Sequence, residues 1–239
     1  RGLMLRDTMV WQAVTIWAAT TTGSTPDSGR APWAPTPVTV MSKSAPPAII
    51  APGRMAKGLN NSGVLAVGKH FPGHGDTRKD SHLTLPTLNY DLSRIDSVEL
   101  YPFKQIIRSG VNGIMTAHLK VKSLDDKMIT TLSRKTITDL LKRDLGFDGI
   151  VITDALDMKA IVDYSKGNYP DVDALIAGND ILLMPSDLKK SIVEIKKAVS
   201  DGRVPSKRLE NAVKKILNTK YEVGLNKYKP ISNDDIKYK

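Results

Sequence analysis

Residues 69–82 (KHFPGHGDTRKDSH) hold three of the chain's four histidines, with two aspartates and two lysines. Pro72, Gly73 and Gly75 interrupt any regular helix, because proline lacks a backbone donor and glycine is costly to order. The stretch reads as a shaped loop of acid-base groups that follows an apolar run at 64–67, itself a buried strand by pattern. Loops at strand ends are where α/β enzymes place their chemistry. Asp80 and His82 are two residues apart, so an extended segment projects both to one side. A carboxylate beside an imidazole fixes its tautomer and raises its basicity, which suits a general acid/base.

Other positions add to this set. Asp154 follows the apolar run 149–153 (GIVIT), where a carboxylate can act as nucleophile or electrostatic stabiliser. The alternative is a helix N-cap for a helix over 155–161, a role open equally to Asp157. His70 and His74 have the i, i+4 spacing of a helical zinc motif. Pro72 and Gly73 deny that helix, and no glutamate follows His70, so the metalloprotease pattern fails. A barrel metal site from His70, His74, His118 and a carboxylate is the minor alternative; the preferred reading has no metal and no cofactor. Lys69 suits a Schiff base or recognition of hydroxyls, and His118 either lines the pocket or satisfies backbone groups.

These residues need a scaffold. Short apolar runs at 64–68, 112–116, 149–153 and 180–184 read as strands. Helical patterns lie before and between them, beginning with a helix end at 55–62. The helix at 97–109 is expected to bury Val98, Tyr101, Ile106 and Ile107. That at 133–145 is capped by Ser133 and buries Ile137, Leu140 and Leu141. Helices at 171–177, 188–200 and 206–221 complete the pattern, with Val193, Ala198, Leu209, Val213 and Ile216 as core candidates. The alternation argues for an α/β fold of about four parallel β/α units, either half of a (β/α)8 barrel or a small doubly wound sheet. Chemical residues after at least three strands, Lys69, His118 and Asp154, favour the incomplete TIM-type barrel. No GxGxxG follows a strand, which weighs against a dinucleotide fold.

Composition narrows the classes. The 239 residues include no cysteine, so disulfides and thiolate chemistry are excluded. No apolar run reaches the length of a membrane-spanning helix, about 18 residues. The formal charge of +10 is spread over helical segments with interleaved acids, as in 191–197 (SIVEIKK), and reads as a solvated surface. The competing class is a basic module binding nucleic acid, but no nucleic-acid partner is expected.

A change of composition near residue 54 divides the chain. Residues 1–54 contain all three tryptophans and half of the fourteen prolines, yet no glutamate or asparagine. The Thr-, Pro-, Ser- and Ala-rich stretch 20–52 offers little to bury. The expected organisation is an aberrant, out-of-frame or disordered segment at 1–54, a barrel domain at 55–225 and a linker at 226–239.

The run KHFPGHGDT at 69–77, with DSH at 80–82, resembles the signature of family three glycoside hydrolases, and within them the bacterial β-N-acetylglucosaminidase branch. The likeness continues through LP at 85–86, GIMTAH at 113–118, LGFDGIVITDALDM at 145–158 and AGNDILL at 177–183. It implies a retaining double displacement in a (β/α)8 barrel, acting on terminal β-N-acetylglucosamine of cell-wall or chitin-type glycans. Asp154 matches the family's nucleophile, His82 with Asp80 the acid/base dyad of this branch, and Lys69 and His70 the groups that bind sugar hydroxyls; His118 is added as a substrate-side candidate. Most glycosidases use two carboxylates instead. A neutral base avoids repelling an anionic nucleophile such as phosphate, so glycoside phosphorylase is an alternative within the family; β-glucosidase is another, because no residue is identifiable as a contact to the sugar's 2-substituent.

The likeness covers about 55–225, and residues 1–54 do not resemble the first half of the family's barrel. The expectation is therefore a fragment of weak activity whose open sheet edges promote self-association. The implied compartment is the bacterial cytoplasm or periplasm, which the sequence does not distinguish.

Overall fold

The computed structural model describes residues 12–19, 36–42, 50–74, 85–166 and 168–227, the first two stretches and residues 50–52 as backbone. Asp80 and His82 lie outside the described residues, as does all but the start of the expected linker at 226–239.

The described strands are β1 (Gln12–Ala19), β2 (Thr36–Ser42), β3 (Leu65–Phe71), β4 (Thr87–Leu88), β5 (Gly113–Thr116), β6 (Lys120–Val121) and β7 (Ile150–Thr153). A five-stranded sheet runs in the order β2-β1-β3-β5-β7, and β4 pairs with β6 in a second, parallel sheet. β3, β5 and β7 are parallel, as their alternation with helices requires. β1 is antiparallel to both β2 and β3, so the main sheet is mixed. The fold is α/β, with the parallel strands β3, β5 and β7 forming one side of the main sheet.

The expected fourth parallel strand at 180–184 is reduced to a single bridge between Ile181 and Ile152. Side chains replace part of its ladder. The Asp180 carboxylate accepts from the Val151 amide at 3.0 Å, and the Leu183 amide donates to Thr153 Oγ1 at 2.9 Å. Asp180 is nearly fully buried and meets Lys142 at 3.1 Å, Arg208 at 3.2 Å and Lys215 at 3.8 Å.

Helix α1 (Ile50–Asn61) precedes β3 and crosses the compositional change at residue 54. The helix expected from Ser97 begins earlier: α2 (Leu92–Arg94) is capped by Asp91, whose Oδ1 accepts from the Arg94 amide at 2.7 Å. It continues through a π-helical turn, Ile95–Glu99, into α3 (Leu100–Arg108). Ser97 is therefore internal and bonds the Ser93 carbonyl. Leu100, Pro102, Phe103 and Ile106 are the buried residues of α3, whereas Tyr101 is exposed. The helix expected at 133–145 is wound as a π-helix at Lys135–Asp144, and it buries Ile137 and Leu141 as predicted.

Beyond β7 come α4 (Lys159–Ser165), α5 (Pro170–Ala177), α6 (Leu188–Ser200) and α7 (Ser206–Glu222). Val193 on α6 and Val213 on α7, both expected in the core, are exposed; Ala198, also expected there, is buried, as is Ala212. No helix among the described residues is long and apolar enough to cross a membrane.

The main core lies between the sheet and α1, α3 and the π-helix. Phe71 meets Phe103 edge-on, with ring centroids 5.2 Å apart, and Ile106, Ile114, Ile137, Leu141 and Val151 surround them. Gly68 lets α3 approach β3, because a Cβ there would lie 2.2 Å from Ile106 Cδ1.

Candidate active site

β3, β5 and β7 end on the same side, and their C-terminal ends carry the titratable groups. Between the pairs Gly68–Ile114 and Phe71–Thr116, β3 advances three residues while β5 advances two. The additional residue makes a bulge that holds Lys69 and His70, and bulges of this kind re-aim side chains beside a site. The peptide bonds between Lys69 and His70, and between Phe71 and Pro72, are cis. The turn then closes by a bond from the Gly73 amide to the His70 carbonyl at 2.9 Å. Gly73 has φ +121, and a Cβ there would lie 2.9 Å from that of the buried Glu99. Glu99 is paired with Arg94 at 3.2 Å, and Arg94 lies over the Tyr90 ring.

Asp154 follows β7 directly. Its amide donates to the Thr116 carbonyl at 3.0 Å, which ties it to the end of β5. Its Oδ1 accepts from the Ala155 amide at 2.9 Å, and its Oδ2 lies 3.6 Å from His70 Nε2. The N-cap alternative for Asp154 is not observed: α4 starts at Lys159 after Met158, so neither Asp154 nor Asp157 caps it.

Burial lowers the His70 pKa to about 4; Asp154 opposes that shift, while Lys69, His74 and His118 add to it. His70 is therefore a neutral imidazole at pH 7. Burial also lowers the Lys69 pKa, again opposed by Asp154. The His74 ring meets that of His70 edge-on at 5.8 Å.

His118, after β5, is fully buried. Its Nε2 lies 2.9 Å from the Ala155 carbonyl and its Nδ1 lies 2.9 Å from Thr131 Oγ1. Of the two roles open to His118 from sequence, these bonds fit the backbone-satisfying one. Both ring nitrogens are occupied, so the expected direct contact with substrate is revised. Among the described residues, no three His, Asp or Glu side chains gather so as to hold a metal ion.

The structure thus brings Lys69, His70 and Asp154 together and sets His118 behind the nucleophile candidate. Sequence reasoning missed Thr116, Thr131 and Asn179, all fully buried around His118. For Thr116 and Asn179 the available signal was a polar residue inside an otherwise apolar run, at 113–118 and 177–183; Thr131 carried no such signal.

Residues 29–219 match the profile described as the Glycosyl hydrolase family 3 N terminal domain. The chain belongs to glycosyl hydrolase family 3. The family 3 match begins upstream of residue 55, where the sequence alone places the first family-like residues. Beta-hexosaminidase A of Pseudoalteromonas piscicida is 34% identical over 185 residues, covering 69% of this chain and 31% of that protein. A family 3 β-N-acetylglucosaminidase structure from Paenibacillus sp. str. FPU-7 matches with TM-score 0.70 and 35% identity, over 75% of this chain and 35% of that one. The β-glucoside phosphorylase BglX matches with TM-score 0.70 and 26% identity, over 78% of this chain and 36% of that one. The chain spans about a third of the length of each of these three.

Proposed function

We propose that this chain carries the catalytic centre of a retaining glycoside hydrolase that removes terminal β-N-acetylglucosamine from cell-wall or chitin-type glycans. The observation that carries the reading is the approach of Asp154 Oδ2 to His70 Nε2, 3.6 Å, at the ends of parallel strands in a family 3 chain. Asp154 attacks the anomeric carbon, breaking its bond to the leaving oxygen and forming a glycosyl-enzyme. His82, paired with Asp80, protonates that oxygen and then takes a proton from water, whose oxygen bonds to the anomeric carbon as the bond to Asp154 breaks. Both residues of this dyad lie outside the described residues, and their roles rest on the family motif.

Lys69 and His70 bind the sugar hydroxyls. A neutral His70 can donate one hydrogen bond and accept another, which matches a hydroxyl's own capacity. Such contacts speed the reaction where they strengthen in the transition state.

The test is hydrolysis of an aryl N-acetyl-β-glucosaminide, with a fluorosugar substrate added to trap the intermediate. The expected result is turnover lost in Asp154→Asn and a covalent sugar adduct on Asp154. An adduct elsewhere, or turnover unaffected by Asp154→Asn, would sink the reading. Likeness to a β-glucoside phosphorylase favours a second assay in phosphate buffer, where a glycosyl phosphate product assigns phosphorolysis instead.

The low turnover and self-association proposed for this chain alone are supported by a sheet whose described order ends at β2 on one side, the β7 edge being bonded to the 180–183 segment. Turnover equal to that of a full-length family relative, from a monomer in light scattering, is the contrary result.

A further inference from the structure

A fully buried polar network lies behind Asp154. Asn179 Nδ2 donates to the Thr131 carbonyl at 2.9 Å and to the Ala174 carbonyl at 2.8 Å, and its Oδ1 accepts from the Thr116 hydroxyl at 3.2 Å. This fixes the 131 segment against β5 and α5. Thr131 Oγ1 in turn meets His118 Nδ1.

The ring's protonation follows from its partners. Nε2 faces a carbonyl, which only accepts, so Nε2 carries hydrogen. Burial lowers the His118 pKa, so the ring is neutral and Nδ1 accepts from the Thr131 hydroxyl. The Thr131 hydroxyl also reaches the Ala117 carbonyl at 2.7 Å, so its single proton is divided between that oxygen and Nδ1, and the Ala117 carbonyl receives the Thr130 hydroxyl as well.

We propose that His118 is a positioning residue for Asp154: its Nε2–H holds the Ala155 carbonyl, while the amide of the same residue holds Asp154 Oδ1. The role rests on the glycosidase reading of Asp154. With the Thr116 carbonyl on the Asp154 amide, both sides of the carboxylate's attachment are anchored to buried groups. Without the imidazole donor, residue 155 can rotate and the carboxylate loses its set direction. A misplacement of that kind acts on the chemical step more than on ground-state binding.

The experiment compares His118→Leu with His118→Gln, whose amide nitrogen can reach the position of Nε2. His118→Leu is expected to lower kcat by about 100-fold with KM nearly unchanged. His118→Gln is expected to recover about tenfold of that loss, the value of one restored hydrogen bond. A second readout is independent of turnover: the NMR chemical shift of the Asp154 carboxyl carbon at neutral pH. It should move in His118→Leu and return towards the parent in His118→Gln. Should the Leu variant not fold, Thr131→Val replaces it, and the same shift is expected.

Equal kcat and an equal Asp154 carboxyl chemical shift across the folded variants overturn the positioning role. A responsive Asp154 in a chain that cleaves no glycoside overturns the glycosidase reading alone.

Discussion

The Lys142 ammonium lies 3.1 Å from the Asp180 carboxylate, beside the start of β7. Burial lowers the Lys142 pKa to about 8, opposed by Asp180 and reinforced by Arg208 and Lys215. One buried anion therefore serves three cations and a backbone amide. Asp180→Ala leaves them uncompensated and is expected to cost about 3–5 kcal/mol in urea unfolding. Lys142→Met leaves Arg208 and Lys215 on Asp180 and is expected to change stability by less than about 1 kcal/mol, since an apolar replacement removes a desolvation cost.

His70 gives stability a pH dependence of definite sign. Its pKa falls from the ordinary 6.5 to about 4, so between these values the unfolded chain binds a proton that the folded chain does not. Stability contributed by the neutral ring is present above pH 6.5 and is lost as pH falls towards 4, by on the order of 3 kcal/mol at most. The urea midpoint of the parent should drop over that window, and His70→Asn should flatten this component. NMR titration of the ring checks the midpoint directly.

Gly68 and Ile106 form a pair that a double-mutant cycle can read. Gly68→Ala forces a methyl to within 2.2 Å of Ile106 Cδ1 and is expected to destabilise by about 1–3 kcal/mol. In an Ile106→Val background the clashing methyl is absent, and the added cost of Gly68→Ala should fall below about 1 kcal/mol. Additive effects in thermal unfolding would mean that the two side chains do not share this space.

Ser133 joins a helix start to a buried carboxylate. Its Oγ accepts from the Thr136 amide at 3.1 Å and donates to Asp125 Oδ2 at 2.7 Å. Burial alone would raise the Asp125 pKa, but the Ser133 hydroxyl and the amides of Lys127 and Met128 outweigh it and hold it below the usual value. The stability so gained is present above the ordinary aspartate pKa and is lost as pH falls through the folded one. Ser133→Ala is expected to cost about 1–2 kcal/mol at neutral pH and to weaken that acid dependence, both measurable by urea unfolding.

Much of the scaffold was legible where local pattern and tertiary demand agree. The runs at 64–68, 112–116 and 149–153 became β3, β5 and β7 within a few residues, because short apolar runs bounded by glycine or polar residues suit a sheet buried on both faces. Pairing of β1 and β2 was not legible: it joins residues far apart in sequence, and Pro37 within β2 argues locally against a strand. The fourth strand failed for a chemical reason, since Asp180 and Thr153 take over backbone partners that a ladder would use. At the site, the family motif named Lys69, His70 and Asp154. The tautomer of His118 depends on Thr131 and Ala155, which no spacing rule connects to it.

The Ala155 amide makes the two oxygens of Asp154 inequivalent. Oδ1 carries a backbone hydrogen bond, and Oδ2 faces His70 across 3.6 Å. On the proposed mechanism the carboxylate acts through Oδ2, along a single line of approach. A sugar turned over here would bring its anomeric carbon to that oxygen, so the face it presents would be decided by a main-chain N–H that never touches it.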